Sequence, residues 1–247
     1  EAGFRIDLVG QSFAVLKARD ESGVAVDVNL PRRESKSGRG HRGFDVEADP
    51  WLPVEVALRR RDFTFNAMAW DPLTGELIDP YGGRGDLRAG RLRATSPAFV
   101  EDPLRVLRGM QLAGRFDLEL EPATREMCRD MFDEYAELSI ERIWTEWEKW
   151  ARLAVRPSRG LALLRETGWV GAYPALLALI GCPQEPEWHP EGDVWNHTLL
   201  VCDAARRIAD RENLPDGRRV ELLLAAVAHD LGKPETTLRD DDGRWRS

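Results

Sequence analysis

The sequence is short of the features that mark secreted, fibrous or membrane proteins. It has three cysteines among 247 residues, Cys128, Cys182 and Cys202. Their odd number and the lack of any C-x-x-C spacing exclude a disulfide scaffold and read as free thiols in a reducing cytoplasm. No apolar run approaches the ~18–20 residues that span a bilayer. The most apolar stretch, Leu222 to Ala228, stops at His229 and Asp230. Glu1-Ala2-Gly3-Phe4 shows no basic region followed by an apolar one, so no signal peptide is read there. No internal repeat is present. Hydrophobic residues at 43% and charged residues at 32% exclude a disordered tail or a collagen-like fibre. The length suffices for one large domain or two to three small ones around a sizeable core.

The formal net charge of −8 argues against a nucleic-acid partner until its distribution is considered. Residues 1–115 carry a net +1 and residues 116–247 a net −9. The dense basic clusters all lie in the first half: Arg32-Arg33 with Lys36, Arg39 and Arg42; Arg59-Arg60-Arg61; then Arg84, Arg88, Arg91 and Arg93. Such clusters are also the ordinary dress of a solvated surface.

The expected fold class is α+β. Phe13–Leu16 and Val24–Leu30 are β-rich runs separated by the turn Asp20-Glu21-Ser22-Gly23. Residues 35–43 read as a flexible basic loop, and Val54–Ala69 as helical around its arginines. Asp71–Gly75 and Asp79–Gly83 are turns flanking a short strand, Glu76–Ile78. From Glu101 onward the pattern is helical, with Asp102 as N-cap and Pro103 in the first turn. Later helices are expected at Ser139–Leu153, Ser158–Glu166, Pro174–Ile180, Val194–Glu212 and Arg218–Leu231. The stripe Ile140, Ile143, Trp144, Trp147, Trp150 is expected to be core. Pro183-Gln184-Glu185-Pro186 reads as a linker.

Two clusters carry chemistry in the first half. Arg61, Asp62 and Asn66, within Arg60-Arg61-Asp62-Phe63-Thr64-Phe65-Asn66-Ala67, can converge on a phosphate and a ribose, because guanidinium groups bind phosphate bidentately while Asp and Asn suit sugar hydroxyls. The alternative is a helix start with solvated arginines. In Glu101-Asp102-Pro103-Leu104-Arg105-Val106-Leu107-Arg108, helical spacing places Glu101 and Arg105 at i,i+4, and Asp102–Arg105 and Arg105–Arg108 at i,i+3. Acceptors and forked donors side by side can pair with the edge of a base. An intrahelical salt-bridge ladder would show the same spacing.

With these stretches, Ile78-Asp79-Pro80-Tyr81-Gly82-Gly83 and Ser139-Ile140-Glu141-Arg142, residues 24–153 resemble the class II tRNA nucleotidyltransferases, which include CCA-adding, partial-adding and bacterial poly(A)-polymerase members. The resemblance implies a nucleotidyltransferase head over residues 1–95, a neck with a nucleotide-selecting helix over 96–155 and a helical body over 156–187. By position, it implies that Arg61, Asp62 and Asn66 hold the triphosphate and ribose. Glu101, Asp102 and Arg105 would form the amino-acid template for CTP or ATP. Arg108 would add a contact, and Arg142 and Glu146 would brace the template helix. Asp27 falls at the family's third catalytic carboxylate, whose partners hold divalent metal, Mg2+. Three departures stand out. The family's G-G-x-V-R-D stretch and D-x-D pair are not in this sequence, so it is expected to begin inside the family pattern. Gln111 stands where many relatives carry arginine. The loop Arg39-Gly40-His41-Arg42-Gly43 does not fix which nucleotides are added.

A third constellation lies near the other end. His229-Asp230 closes an apolar helix, and His197 lies thirty-two residues earlier on another, which suits a divalent-metal corner. A buried structural histidine is the alternative. Residues 188–247, with Trp188-His189-Pro190 through Thr198 and Ala228-His229-Asp230-Leu231-Gly232-Lys233-Pro234, resemble the start of an HD-domain phosphohydrolase. His189 reads either as an outer-site residue or as a loop histidine covering the cleft. The expected activity is addition of C and/or A to tRNA 3′ ends from CTP and ATP, with an appended metal-dependent phosphohydrolase. Poly(A) or partial addition is the alternative within the class. A phosphohydrolase with a degenerate head, or an RNA-binding scaffold, is the alternative outside it.

Overall fold

The computed structural model describes residues 5–9, 15–36 and 44–246. The expected hairpin forms: β1 (Arg5–Val9), β2 (Val15–Arg19) and β3 (Ala25–Asn29) make an antiparallel sheet in that order, with Leu16 opposite Val28. Its β2–β3 turn is tied by Asp20, whose carboxylate accepts from Val24 N at 2.8 Å, while Gly23 takes a left-handed φ of 88°. Phe13 and residues 37–43, with Arg39, His41 and Arg42, lie outside the described residues. Ser35 and Lys36, expected in a loop, instead end β4 (Arg32–Lys36), which pairs antiparallel with β5 (Phe44–Ala48).

The stretch expected to be one helix from Val54 is broken. Only α1 (Val54–Leu58) is α-helical, and a single 3-10 turn follows at Thr64–Ala67. Asp62 turns its carboxylate onto the next backbone N–H, which competes with helix continuation. Phe63 is extended and bridges Ala94 instead. β6 (Ala69–Trp70) and β7 (Leu77–Ile78) form a small hairpin over the Asp71 turn. The next turn leads into α2 (Gly83–Arg88), and β8 (Arg91–Leu92) follows.

The rest is helical. α3 (Leu104–Phe116) runs into β9 (Glu119–Leu120), which pairs parallel to β8. Then come α4 (Pro122–Asp130), α5 (Ile140–Leu153), α6 (Pro157–Glu166), α7 (Pro174–Leu177), α8 (Val194–Arg211), α9 (Asp216–Ala228) and α10 (Lys233–Thr236). A last hairpin joins β10 (Leu238–Arg239) to β11 (Trp245–Arg246). α3 packs against α5 and α6, α5 against α9, α6 against α8, and α8 against α9.

The inward stripe of α5 is Ile143, Glu146, Trp147, Trp150 and Ala151. It lies rotated from the aromatic stripe read in the sequence, so Ile140 and Trp144 sit at its outer edge and are exposed. Trp150 is fully buried and donates its indole N–H to Pro157 O at 3.1 Å. Removing that ring from water contributes about 5 kcal/mol of transfer free energy. The crossing is tight enough to require glycine: a Cβ on Gly160 would lie 2.6 Å from Met110 O. Pro183–Pro186 is tied to the structure and is not a free linker. Gln184 is buried, and Val194 N donates to Cys182 O at 3.0 Å. Cys128, Cys182 and Cys202 are buried free thiols, and burial pushes the Cys128 and Cys202 pKa values up to about 12. No helix among the described residues is long and apolar enough to cross a membrane.

Candidate nucleotide-binding and metal sites

The loop that carries Asp62 is clamped from both sides. Thr64 N donates to Arg93 O at 2.9 Å and Thr95 N to Asp62 O at 3.1 Å. Phe63 is fully buried against Phe99. Behind the loop, Asp79 caps α2 by accepting from Gly83 N at 2.7 Å and Arg84 N at 2.9 Å. Gly83 then lies so close that a Cβ would sit 2.2 Å from Thr64 O. Buried Asp86 completes the clamp, accepting from Thr64 Oγ1 and Arg93 Nε, each at 2.8 Å. The Asp-Pro-Tyr-Gly-Gly turn therefore holds the shape of the loop that precedes it.

On this support Asp62 faces inward. Its Oδ1 accepts from Phe63 N at 2.8 Å and from Asn66 Nδ2 at 3.0 Å. Its Oδ2 accepts from Arg108 Nε at 2.8 Å, and Arg108 Nη2 lies 2.6 Å away. Burial works against the Arg108 charge, but Asp62, Glu146 and Asp102 outweigh it and its pKa is raised. Arg61 is exposed, and no side-chain hydrogen bond or ion pair joins its guanidinium to the described residues. Its guanidinium is open to solvent, as is that of Arg59.

The intrahelical ladder expected from Glu101 to Arg108 does not form, because α3 begins only at Leu104 and Glu101 closes a 3-10 turn, Pro97–Glu101. Glu101 instead pairs with Arg60. Asp102 caps the helix, accepting from Leu104 N at 3.1 Å, and pairs with Arg142 Nη2 at 2.9 Å. Arg105 donates to two backbone oxygens, Ala98 O at 2.5 Å and Arg60 O at 2.7 Å. Burial lowers its pKa against the pull of Asp102, Asp62 and Glu101. Glu146 is buried in α5, with Oε1 taken by Lys149 Nζ at 2.8 Å and Oε2 without a hydrogen-bond partner. Gln111 is also buried, and its Oε1 is unpartnered. Three neighbouring sets result, Asp62–Asn66–Arg108, Arg60–Glu101–Arg105 and Asp102–Arg142, and they are coupled by charge: Arg105 feels Asp102, Asp62 and Glu101, and Arg108 feels Asp62 and Asp102. Asp27 does not join them. It is exposed on β3, and the residue opposite it in register is the cation Lys17.

The second site is built by α8, α9 and the turn after α9. Asp193 caps α8, accepting from Asn196 N at 2.9 Å, and so fixes the first turn that carries His197. His197 Nδ1 lies 2.7 Å from Glu191 Oε1, and His229 Nδ1 lies 2.8 Å from Ala226 O. With these acceptors taking the Nδ1 protons, both Nε2 lone pairs face Asp230. His229 Nε2 is 3.1 Å and His197 Nε2 3.8 Å from Asp230 Oδ2. That oxygen is buried, and although Lys233 Nζ lies 2.9 Å away, no donor meets it with hydrogen-bond geometry. Two imidazole lone pairs and an orphaned buried carboxylate oxygen fit a divalent ion. Glu191 also receives His189 Nδ1 at 3.1 Å, and its own backbone N–H with the two histidines lowers its pKa to about 2. Among the described residues, the groups able to gather around an ion are His197–His229–Asp230 and His189–Glu191–His197.

Sequence reasoning missed Glu191, Lys233 and Asp86 as members of these networks, and the pairing of Arg60 with Glu101. Lys233 lies three residues after Asp230, and Glu191 six before His197, so the local spacing held a signal for both. Arg60–Glu101 and Asp86–Thr64 are separated by 41 and 22 residues and had none.

An arginine-rich nucleotide loop tied to a charged helix start, joined to a histidine–aspartate corner, defines a nucleotidyltransferase-type head with an HD-type helical unit. Comparison with known families agrees. The poly A polymerase head domain matches residues 9–93, a probable RNA- and SrmB-binding site of polymerase A matches 117–176, and the HD domain matches 194–245. The chain thus carries, in order, matches to the poly A polymerase head, to its RNA-binding segment and to an HD domain. It is 44% identical over 210 residues to the multifunctional CCA protein of Stenotrophomonas maltophilia, covering 83% of this chain and 50% of that protein. It is 40% identical over 237 residues to the multifunctional CCA protein of Laribacter hongkongensis, covering 95% and 55%. The chain thus spans about half the length of the curated relatives it matches. Among solved structures it is similar to the Thermotoga maritima CCA-adding enzyme complexed with tRNA, with TM-score 0.58, 20% identity, and coverage of 97% of this chain and 50% of that one. The Bacillus stearothermophilus CCA-adding enzyme in complex with CTP gives TM-score 0.56, 21% identity and coverage of 94% and 69%. At these identities the likeness establishes the shared fold.

Proposed function

We propose that this chain is the nucleotide-selecting part of a template-independent RNA nucleotidyltransferase that adds C and/or A to tRNA 3′ ends from CTP and ATP, and that its histidine corner belongs to an appended metal-dependent phosphohydrolase. The observation that carries the reading is the Asp62 network. Asp62 locks the arginine loop to α3 through Arg108, while Arg61 stays open for the triphosphate. Asn66, held by Asp62, stands beside it for the ribose. Glu101, Asp102 and Arg105 form the base-facing set at the start of α3, and Arg142, with Glu146 one turn on, braces it. The partners and location that go with this reading are tRNA, CTP, ATP and the cytoplasm. Residues 1–95 act as head, 96–155 as neck, 156–187 as body, and the HD unit starts at 188.

Metal enters differently at the two sites. Mg2+ in the head would be held by carboxylates, but the residue opposite Asp27 in register is the cation Lys17, and among the described residues no group of three metal-ligating side chains includes Asp27. The head residues of this chain alone therefore do not fit that ion. The residues of the corner do fit one: His197 and His229 through Nε2 and Asp230 through Oδ2 would hold a divalent ion, leaving an open position. Such an ion supplies activation of a water toward a phosphate ester when bound.

The test is selectivity. In the full-length protein that carries this segment, affinities for CTP, ATP, GTP and UTP are compared. Arg61→Ala should weaken all four alike, since it meets phosphate. Arg105→Ala should erode the preference for CTP and ATP. Unchanged preference in Arg105→Ala removes it from the selecting set.

A further inference from the structure

A cleft of about 210 Å³ opens beside the histidine corner, lined by Gln184, Trp188, His189, Lys233, Trp245 and Arg246 among others. It communicates with the corner through two side chains. Lys233 Nζ lies 2.8 Å from Gln184 Oε1 in the cleft and 2.9 Å from Asp230 Oδ2 in the corner. His189 reaches Glu191 Oε1 at 3.1 Å, the same oxygen that lies 2.7 Å from His197 Nδ1. The two indoles differ from those of the core. Trp188 is 71% exposed, yet its backbone is fixed by a bond from its N to Glu185 O at 3.1 Å. Trp245 donates its backbone N–H to Glu185 Oε2 at 3.1 Å and carries the Arg239 guanidinium 5.8 Å from its ring centre.

The lining selects among ligand classes. An aliphatic ligand would meet polar and charged groups on most sides. A bare phosphate would use Lys233, since Arg246 Nε is already paired with Asp240 Oδ2 at 2.9 Å, and would leave both indoles idle. A flat aromatic ring joined to a phosphate uses both kinds of group: the ring stacks on indole, and the phosphate is drawn to Lys233, whose ammonium faces the corner.

We propose that the Trp188–Trp245 cleft is a base-stacking subsite that seats the terminal nucleoside of a phosphorylated nucleotide or RNA end, with its phosphate directed at His197, His229 and Asp230. The proposal rests on the phosphohydrolase reading of the corner and adds the residues that select a nucleoside over a plain phosphate ester.

Binding to the full-length protein in Mn2+ is measured by calorimetry for adenosine 3′-monophosphate, for ribose 5-phosphate, and for a trinucleotide bearing a 3′-phosphate. The base should tighten binding about 10-fold over ribose 5-phosphate, the scale of one stacked base. Trp188→Ala should abolish that preference and Trp188→Phe keep it. Nucleotide held at the head site is insensitive to either change. Tighter binding of the trinucleotide than of the mononucleotide identifies an RNA end as the ligand, and equal binding identifies a free nucleotide. Equal affinity for adenosine 3′-monophosphate and ribose 5-phosphate, or a base preference untouched in Trp188→Ala, overturns the cleft. Failure of the hydrolase reading shows separately, as a Mn2+ titration that is flat and insensitive to His229→Ala. A Trp188-dependent base preference would still uphold the cleft in that case.

Discussion

Replacing Arg108 by Met keeps most of the aliphatic stem but removes the charge that faces Asp62. The magnitude follows from exposure. Asp62 retains 6% of its side-chain surface and Arg108 36%. Stripping one partner from a fully buried pair costs about 3–5 kcal/mol. A hydrogen bond to a charged group contributes about 1.5–3 kcal/mol. Because a third of the Arg108 side chain reaches water and Asp62 keeps Phe63 N–H and Asn66, the lower range applies, and Arg108→Met should cost about 2 kcal/mol. For a chain of this length that lowers Tm by about 4–8 °C. Urea unfolding followed by tryptophan fluorescence reads the loss directly. Asp62→Asn in the same background should recover part of it, because the stranded carboxylate is gone. A loss under ~0.5 kcal/mol, or strict additivity of the two changes, would place the pair among ordinary surface ion pairs and refute the network.

Two further outcomes are expected. Desolvation works against the Asp117 carboxylate, but hydrogen bonds from Arg159 and Arg156 outweigh it and lower its pKa. Its stabilisation is therefore fully present above the ordinary carboxylate pKa and is lost as pH falls from there through its lowered pKa. Asp117→Asn should lower the urea midpoint at neutral pH and converge with the wild type in acid. Glu191 orients His197 toward Asp230, so Glu191→Gln should weaken divalent-ion binding about 10–100-fold while leaving the fold intact, as read by calorimetry beside circular dichroism.

The helical half was legible because its signals are local. Asp102-Pro103 announces α3, and the apolar residues of α5 repeat at helical spacing, although its buried face, Ile143, Glu146, Trp147, Trp150 and Ala151, is rotated from the aromatic stripe. The His-Asp corner was legible for the same reason, as an abrupt end to an apolar run. What escaped depends on distant contacts. Nothing near Val54 says that Phe63 must bridge Ala94, so the helix was read too long. Glu101 and Arg105 have helical spacing, yet Glu101 is recruited by Arg60 from forty-one residues away. Pro183–Pro186 has the composition of a linker, and only the burial of Gln184 and its hydrogen bond from Lys233 show that it is held in place.

The central claim is two independent sites on one chain, a nucleotide-selecting network in the head and a metal corner in the HD unit. It is tested most directly by His229→Ala in the full-length protein, assayed for incorporation of labelled CTP and ATP into tRNA lacking its 3′ CCA and, in parallel, for metal-dependent phosphate-ester hydrolysis. The account predicts that hydrolysis is lost while nucleotide addition continues. Loss of nucleotide addition with hydrolysis intact would contradict it.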